Sequence, residues 1–490
     1  MTGTTSALDE GSLPMLTRVK QLFVCVGLFF VLQFGLSPDA QAVPAFVRQT
    51  GMNCNSCHIG THDIVPNFTR TGRLFAMRGY QVPYIRERLR AEGDTGNNNE
   101  QSKYGGDYVA LNWTDFFSAR LLSEVARGGE DASGKSLDVK SSPINRLSLF
   151  FTGAITDWLG VWTELGYLGN NSMRSVTPDR QNEQTGVNFF AYDEYRLNAS
   201  WDFGKNSFYG FSIGNEHPNV GGQFQYPLPL PDLWSNGQGG VGRSMDMANL
   251  SAFMFYNDRL YLQVAGVTGA DNTNWSDGNN FYANVSYDWF RKTSNDLWLI
   301  GEYYGGTDFP SIMTRQKDSF LCPGVCPPGV TDQNFSISNS PGDVIVNAPV
   351  ERVEDFDSFR LSLEHSAADR GAHTWYAAMT FLTMTQNFES GAKVEDTQVG
   401  AYLRYFYERT YGVEVFVRDH LKYEYTTPAG LKRDTYTKPN YGITLLWYPA
   451  MNFDFWLRFT PRVQNIVFED ERELYNDKAS SYVLGMEYNF

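Results

Sequence analysis

The chain has 490 residues, 42% of them hydrophobic and 15% aromatic, with a formal net charge of −15. That acidity argues against nucleic acid and against anionic lipid as partners. No nucleophile triad, catalytic acid–base pair or phosphate loop stands out. The Gly-rich run at 237–242 falls in a predicted loop with no helix after it, which disfavours a nucleotide site.

The N-terminus reads as a secretory signal over 1–42. Arg18 and Lys20 form its charged region, Leu22 to Leu36 its apolar core, and Ala40-Gln41-Ala42 an A-x-A cleavage site. The core is shorter than the ~20 apolar residues of a membrane span, so cleavage is favoured over anchoring. Met15 offers a second start, and Cys25 would leave with the signal.

Cys54-Asn55-Ser56-Cys57-His58 is C-x-x-C-H, the attachment signature of a c-type haem. Both thiols add to the haem vinyl groups and the adjacent imidazole binds the iron. With five Cys and six His in the chain, chance gives such a string in roughly one chain in a thousand. Residues 43–83 read as a compact unit around one covalent haem c, too short to build a large core without the porphyrin. Pro66 suits the first turn of a helix there and Gly79 its stop. His58 is the proximal iron ligand. Met77, on that helix, is a candidate for the sixth position, with ordinary packing as the equal alternative. His62 is a weaker candidate, being four residues from His58, and Met52 has the same difficulty. Arg48 and Arg73 are candidates for haem propionate contacts, against a solvated surface role for each.

The run Val43-Pro-Ala-Phe-Val-Arg-Gln-Thr-Gly51, the C-x-x-C-H, and then Pro66, Gly72-Arg73, Phe75 and Gly79-Tyr80 resemble the outer-membrane fused cytochrome–porins of iron-oxidising bacteria. The likeness covers about forty residues, and the flank P-A-F-x-R-Q-T-G is not something haem attachment itself requires. The sequence departs from that family at Ala76 and Met77, where it often has Lys and Leu, and around His62-Asp63. The departures bear on the sixth ligand and the potential. The resemblance implies Fe(II) as the extracellular electron donor.

Residues 84–110 are first charged, then rich in Gly and Asn, and read as a linker. From 111 to 490 the pattern alternates with period two. Val413, Val415, Val417 and Leu421 share one face, against Glu414, Arg418, His420 and Lys422. Leu260, Leu262 and Val264 oppose Arg259, Tyr261 and Gln263. Phe453, Phe455, Leu457 and Phe459 oppose Asp454, Trp456, Arg458 and Thr460.

Sixteen strands are predicted, near 113–126, 144–156, 160–168, 187–203, 207–217, 244–257, 259–269, 280–291, 296–307, 354–366, 373–386, 395–408, 411–424, 435–449, 452–466 and 480–490. Seven short turns alternate with long loops, the largest at about 308–353, as in an antiparallel outer-membrane β-barrel with periplasmic turns and outer loops. The last strand carries Tyr482, Leu484, Met486, Tyr488 and Phe490 on one face and ends on Phe, which looks like the closing strand of such barrels. Its many aromatics suit the girdles at the two membrane interfaces.

The charges Arg404, Glu414, Arg418, His420 and Arg458 read as a solvated channel wall. His217, His365 and His373 read as surface histidines at strand ends. The acidic stretch Glu469 to Asp477 reads as a solvated outer loop that could also attract a cation. Cys322 and Cys326 are spaced for a small loop disulfide, with a two-ligand metal site as the lesser alternative.

The expected fold is therefore mainly β, a sixteen-stranded transmembrane barrel behind a small helical cytochrome segment able to fold back as a plug. The expected activity is one-electron transfer across the outer membrane to a periplasmic carrier, a cytochrome c or a copper protein. A haem-bearing porin for solute flux or sensing, and an outlet that reduces external acceptors, are the alternatives.

Overall fold

The computed structural model describes residues 44–50, 52, 56–59, 68–81, 113–128, 139–168, 191–204, 206–214, 248–267, 280–290, 295–309, 320–321, 335–337, 344–346, 353–368, 372–389, 391–433, 435–437, 439–450, 453–460, 466–468 and 481–489. The expected signal, the linker, Cys54, His62, His217, Cys322, Cys326, the acidic stretch from Glu469 and Phe490 lie outside the described residues.

One sheet of seventeen strands dominates, and one of those is only the two-residue Lys432–Arg433. The other sixteen close a ring. In chain order they are β1 (Phe117–Gly128), β2 (Val139–Ala154), β3 (Leu159–Leu168), β4 (Ala191–Gly204), β5 (Ser207–Gly214), β6 (Asn249–Tyr256), β7 (Leu260–Val267) and β8 (Asn280–Asp288). The second half is β9 (Asn295–Phe309), β10 (Val353–Ala367), β11 (His373–Phe388), β12 (Lys393–Tyr407), β13 (Tyr411–Thr426), β14 (Asn440–Ala450), β15 (Phe453–Thr460) and β16 (Ser481–Asn489). Each pairs antiparallel with its chain neighbours, and β1 pairs with β16, Arg120 opposite Asn489, so no edge is left open.

The expected strands are all present, with bounds shifted by a few residues. The departures are at the loops. Trp113–Phe116 is a 3-10 turn before β1 rather than strand. Residues 435–437 and 466–468, expected as the start and end of barrel strands, pair with each other outside the ring. The largest loop contains a small sheet of Phe320–Leu321, Phe335–Ile337 and Val344–Val346.

The faces are inverted relative to a water-soluble protein. Val264, Leu299, Leu361, Leu363, Leu445 and Leu484 point outward and exposed, and Met379 is 65% accessible. Asn249, Ser251, Gln263, Asn284, Ser286, Glu302 and Arg360 point inward and are buried. This is the alternation of a barrel with hydrocarbon outside and polar groups within. Among the described residues no helix is long and apolar enough to cross a membrane.

Two short helices precede the barrel. α1 (Pro44–Thr50) begins with Pro at its first position, where a missing N–H costs nothing. α2 (Arg70–Met77) is capped by Thr69, whose side chain accepts a hydrogen bond from the Gly72 N–H at 3.2 Å. The helix thus starts at Arg70, four positions after Pro66, which lies outside the described residues, because the Thr69 hydroxyl supplies the acceptor a first turn needs. It stops where expected, with Gly79 at φ +68° and Tyr80 at φ +64°.

Candidate functional site

Every residue of α2 is buried, although the helix carries Arg70 and Arg73. A buried guanidinium needs carboxylates, and the barrel wall provides them. Arg70 donates through Nε to Asp288 at 2.5 Å, and through Nη2 to the Asp258 side chain and carbonyl, each at 3.0 Å. Arg73 lies 3.1 Å from Glu364 and 3.9 Å from Asp296, with its guanidinium 5.5 Å from the centre of the Trp298 ring. Burial lowers the Arg73 pKa, but the fields of Glu364 and then Asp296 raise it by more, so it is held as a cation. Arg78, just past the helix, meets Asp202 at 2.5 Å and Ser200 at 3.3 Å. Asn198 donates to the carbonyls of Ala76 at 2.8 Å and Met77 at 3.2 Å, adding a side-chain donor at the helix end.

These wall partners cluster at one end of the barrel. Asp258 lies in the β6–β7 turn, Asp288 ends β8, Asp296 is the second residue of β9, and Asp202 precedes the β4–β5 turn. Glu364 lies near the end of β10 that leads into the β10–β11 turn. The helix therefore sits inside the lumen at the end closed by short turns. Gly79 and Gly160 approach so closely that a Cβ on Gly160 would overlap the Gly79 carbonyl.

α1 is held at the same end. Gln49 donates to the carbonyls of Thr152 at 2.7 Å and Asp115 at 3.0 Å, against Gly153. Arg48 lies 3.7 Å from Asp115 and donates to the Phe117 carbonyl. Phe46 stacks on Tyr80 at 5.0 Å and meets Phe75 edge-on at 5.1 Å, tying α1 to α2. Arg48 and Arg73 were candidates for propionate contacts; the structure gives both of them carboxylates of the chain itself.

Between the helices lie the described part of the motif, residues 56–58, and Ile59 after it. The Thr69 N–H donates to the Cys57 carbonyl at 2.9 Å, and the Thr69 hydroxyl to the Ser56 carbonyl at 2.6 Å. His58 forms an isolated bridge with Phe68, their rings 4.9 Å apart. Cys57 is half-buried. Gly72 lies against the Cys57 carbonyl with no room for a Cβ. Gly72→Ala should therefore push the motif off the helix and destabilise the segment by about 1–3 kcal/mol. Faster proteolysis of this segment in an otherwise intact barrel is the expected readout, and unchanged protection would refute the contact.

Met77 and the motif belong to different clusters. Met77 is fully buried among Leu74, Phe208, Phe253, Phe255 and Trp298, with Met52 packed on the same group. Ile59, next to His58, packs with Tyr376, Ala378, Tyr402, Phe406 and Tyr448, and Phe68 lies against them. Met77 is thus enclosed by apolar side chains of the helix and the wall.

Charges and a histidine expected as solvated wall or surface are more constrained than that. Arg404 and Glu414 face each other across β12 and β13 and form a buried pair, joined by Tyr402 at 2.8 Å and Arg458 at 3.6 Å. His420 Nδ1 meets Asp396 at 2.7 Å, both buried. His365 contacts Asn295 at 2.9 Å and accepts from Trp375 at 3.1 Å, so it is not a bare surface residue. Among the described residues no group of three His, Cys, Asp or Glu is arranged to hold a metal ion.

No family model matches the chain, and no curated protein matches it. Solved structures similar to it are outer-membrane barrels. The outer membrane protein OmpT of Vibrio cholerae is 8% identical with a TM-score of 0.42, over 76% of this chain and 96% of that one. OmpF of Salmonella typhi is 11% identical with a TM-score of 0.42, over 76% and 97%. The anion-selective porin of Comamonas acidovorans is 9% identical with a TM-score of 0.41, over 76% and 98%.

Proposed function

We propose that this is an outer-membrane c-type cytochrome–porin, which takes single electrons from extracellular Fe(II) and passes them to a soluble periplasmic carrier. One observation carries the reading: the segment that bears C-x-x-C-H is anchored in the lumen of a closed barrel by Arg70 and Arg73. The donor set suits a haem, because a half-buried cysteine sulfur stands next to an imidazole in the chain. Cys54 and Cys57 would hold the group covalently and His58 would bind its iron. When bound, haem supplies a reversible one-electron couple.

The chain's own part is placement. Hydrocarbon cannot host a short peptide with unpaired polar groups, which cost several kcal/mol each. The inverted barrel replaces hydrocarbon with a polar inner wall, and its apolar outer face supports a membrane address. The short-turn end, where α2 is anchored, faces the periplasm in the topology of such barrels, which brings the motif close to a soluble acceptor. The substrate Fe(II) would leave as Fe(III), having lost one electron to the couple supplied by a haem that Cys54, Cys57 and His58 would hold. The choice of Fe(II) rests on the resemblance of residues 43–80 to the cytochrome–porins.

The test is direct. Purified protein with oxidised haem is mixed anaerobically with Fe(II), and the haem absorption band is followed. The band of reduced haem should appear. A haem that stays oxidised would remove iron as the donor, and a redox titration would then separate an inlet from an outlet.

A further inference from the structure

Glu364 is a fully buried carboxylate of the barrel wall, paired with one arm that holds the motif and adjacent to the other. One arm is Arg73, 3.1 Å away. Arg73 follows Gly72, which lies so close to the Cys57 carbonyl that a Cβ there would overlap it. The other arm is Tyr376, the buried diagonal neighbour of Glu364 across the β10–β11 pairing, which shares a core cluster with Ile59, the neighbour of His58. The Arg360 guanidinium also acts on Glu364 from the same strand. Cys57 and His58 are thus gripped from two sides by groups that meet at one carboxylate some 300 residues away in the chain.

We propose that Glu364 is a positioning residue for the Cys57–His58 attachment site, and that its charge sets the potential of the haem from the barrel wall. The proposal rests on the haem reading above. A negative charge in a buried site favours the ferric over the ferrous state, because the ferric centre carries one more positive charge. Removing the charge favours reduction. Arg73, left without that partner, adds to the effect with the same sign. A merely structural loosening has the opposite sign, since water entering the site stabilises the more highly charged ferric form.

The experiment is a spectroelectrochemical titration of the full-length protein in detergent, with haem content checked by its absorption band and barrel folding by heat-modifiable gel migration. Glu364→Gln should move the midpoint upward, and Glu364→Asp should stay close to wild type. A Glu364→Gln protein that titrates at the wild-type midpoint, or below it, overturns the proposal. If Glu364→Gln does not assemble, Tyr376→Phe keeps the charge and alters the arm onto Ile59. It should then change the electron paramagnetic resonance signal of the ferric haem, and an unchanged signal overturns the positioning role. A wild-type protein with no haem band at all would sink the haem reading itself, a different and separately visible result.

Discussion

Arg70→Ala should release the N-terminal segment from the lumen at a cost of about 3–5 kcal/mol in docking. Arg70 is fully buried, and so are both of its carboxylate partners. Truncation leaves Asp258 and Asp288 as uncompensated charges in a confined space, which costs more than the pair itself contributes. Arg78→Ala is the contrast. Its partner Asp202 is 58% accessible, so that pair is screened and its loss should cost no more than about 1 kcal/mol. Arg70→Lys should fall between, because an ammonium cannot span two carboxylates as a planar guanidinium does. In planar bilayers the wild type and Arg78→Ala should conduct little, while Arg70→Ala should open a measurable ion current. Protease added on the short-turn side should cut the segment in Arg70→Ala alone. A triple variant, Arg70→Ala with Asp258→Asn and Asp288→Asn, removes the stranded charges and should recover part of the lost docking energy. Equal conductance in Arg70→Ala and wild type would show that this ion pair does not hold the plug.

The same residues show what a sequence can and cannot reveal. The sixteen strands were legible because side-chain direction alternates with period two and the turns carry their own chemistry. Asn257 and Asp258 adopt φ +46° and +66°, a conformation that Asn and Asp tolerate well, and they close the β6–β7 hairpin. The second role of Asp258, turning its carboxylate inward to Arg70, was not legible. Its partner lies 188 residues away, and only barrel closure brings the two together. The wall partners of Arg73 were hidden for the same reason, because Asp296 and Glu364 come from β9 and β10. The helix start was off because Pro66 is a conspicuous signal and Thr69 a quiet one. The two-residue and three-residue strands in the long loops leave too little periodicity to detect. Cys57 and His58 were legible in identity, because the motif is contiguous. Their support was not, because Tyr376 and Glu364 come from distant strands.

Replacing Cys54 and Cys57 together by alanine should abolish covalent haem yet leave a folded barrel. The sixteen strands close through their own hydrogen bonds, and the β1–β16 seam involves no residue of the motif. The anchors of the segment, Arg70, Arg73 and Gln49, likewise contact the wall without the thiols. Haem staining on a denaturing gel should fall to background while heat-modifiable migration persists. Cys57→Ala alone should keep partial staining through the remaining thioether. His58→Ala is the sharper probe of electron transfer. Both thiols remain, so haem stays attached, but the proximal nitrogen is gone, and Fe(II)-driven reduction should drop to the rate of a control without Fe(II). Conductance separates the competing readings of the molecule. If the chain is a conduit for electrons, His58→Ala loses reduction and remains as closed as wild type, because Arg70 and Arg73 still hold the segment. If solute flux is the real activity, solutes should already cross the wild-type barrel in liposomes, and His58→Ala should leave that flux untouched. A wild-type protein that passes solutes freely and leaves its haem oxidised by external Fe(II) would decide for the porin.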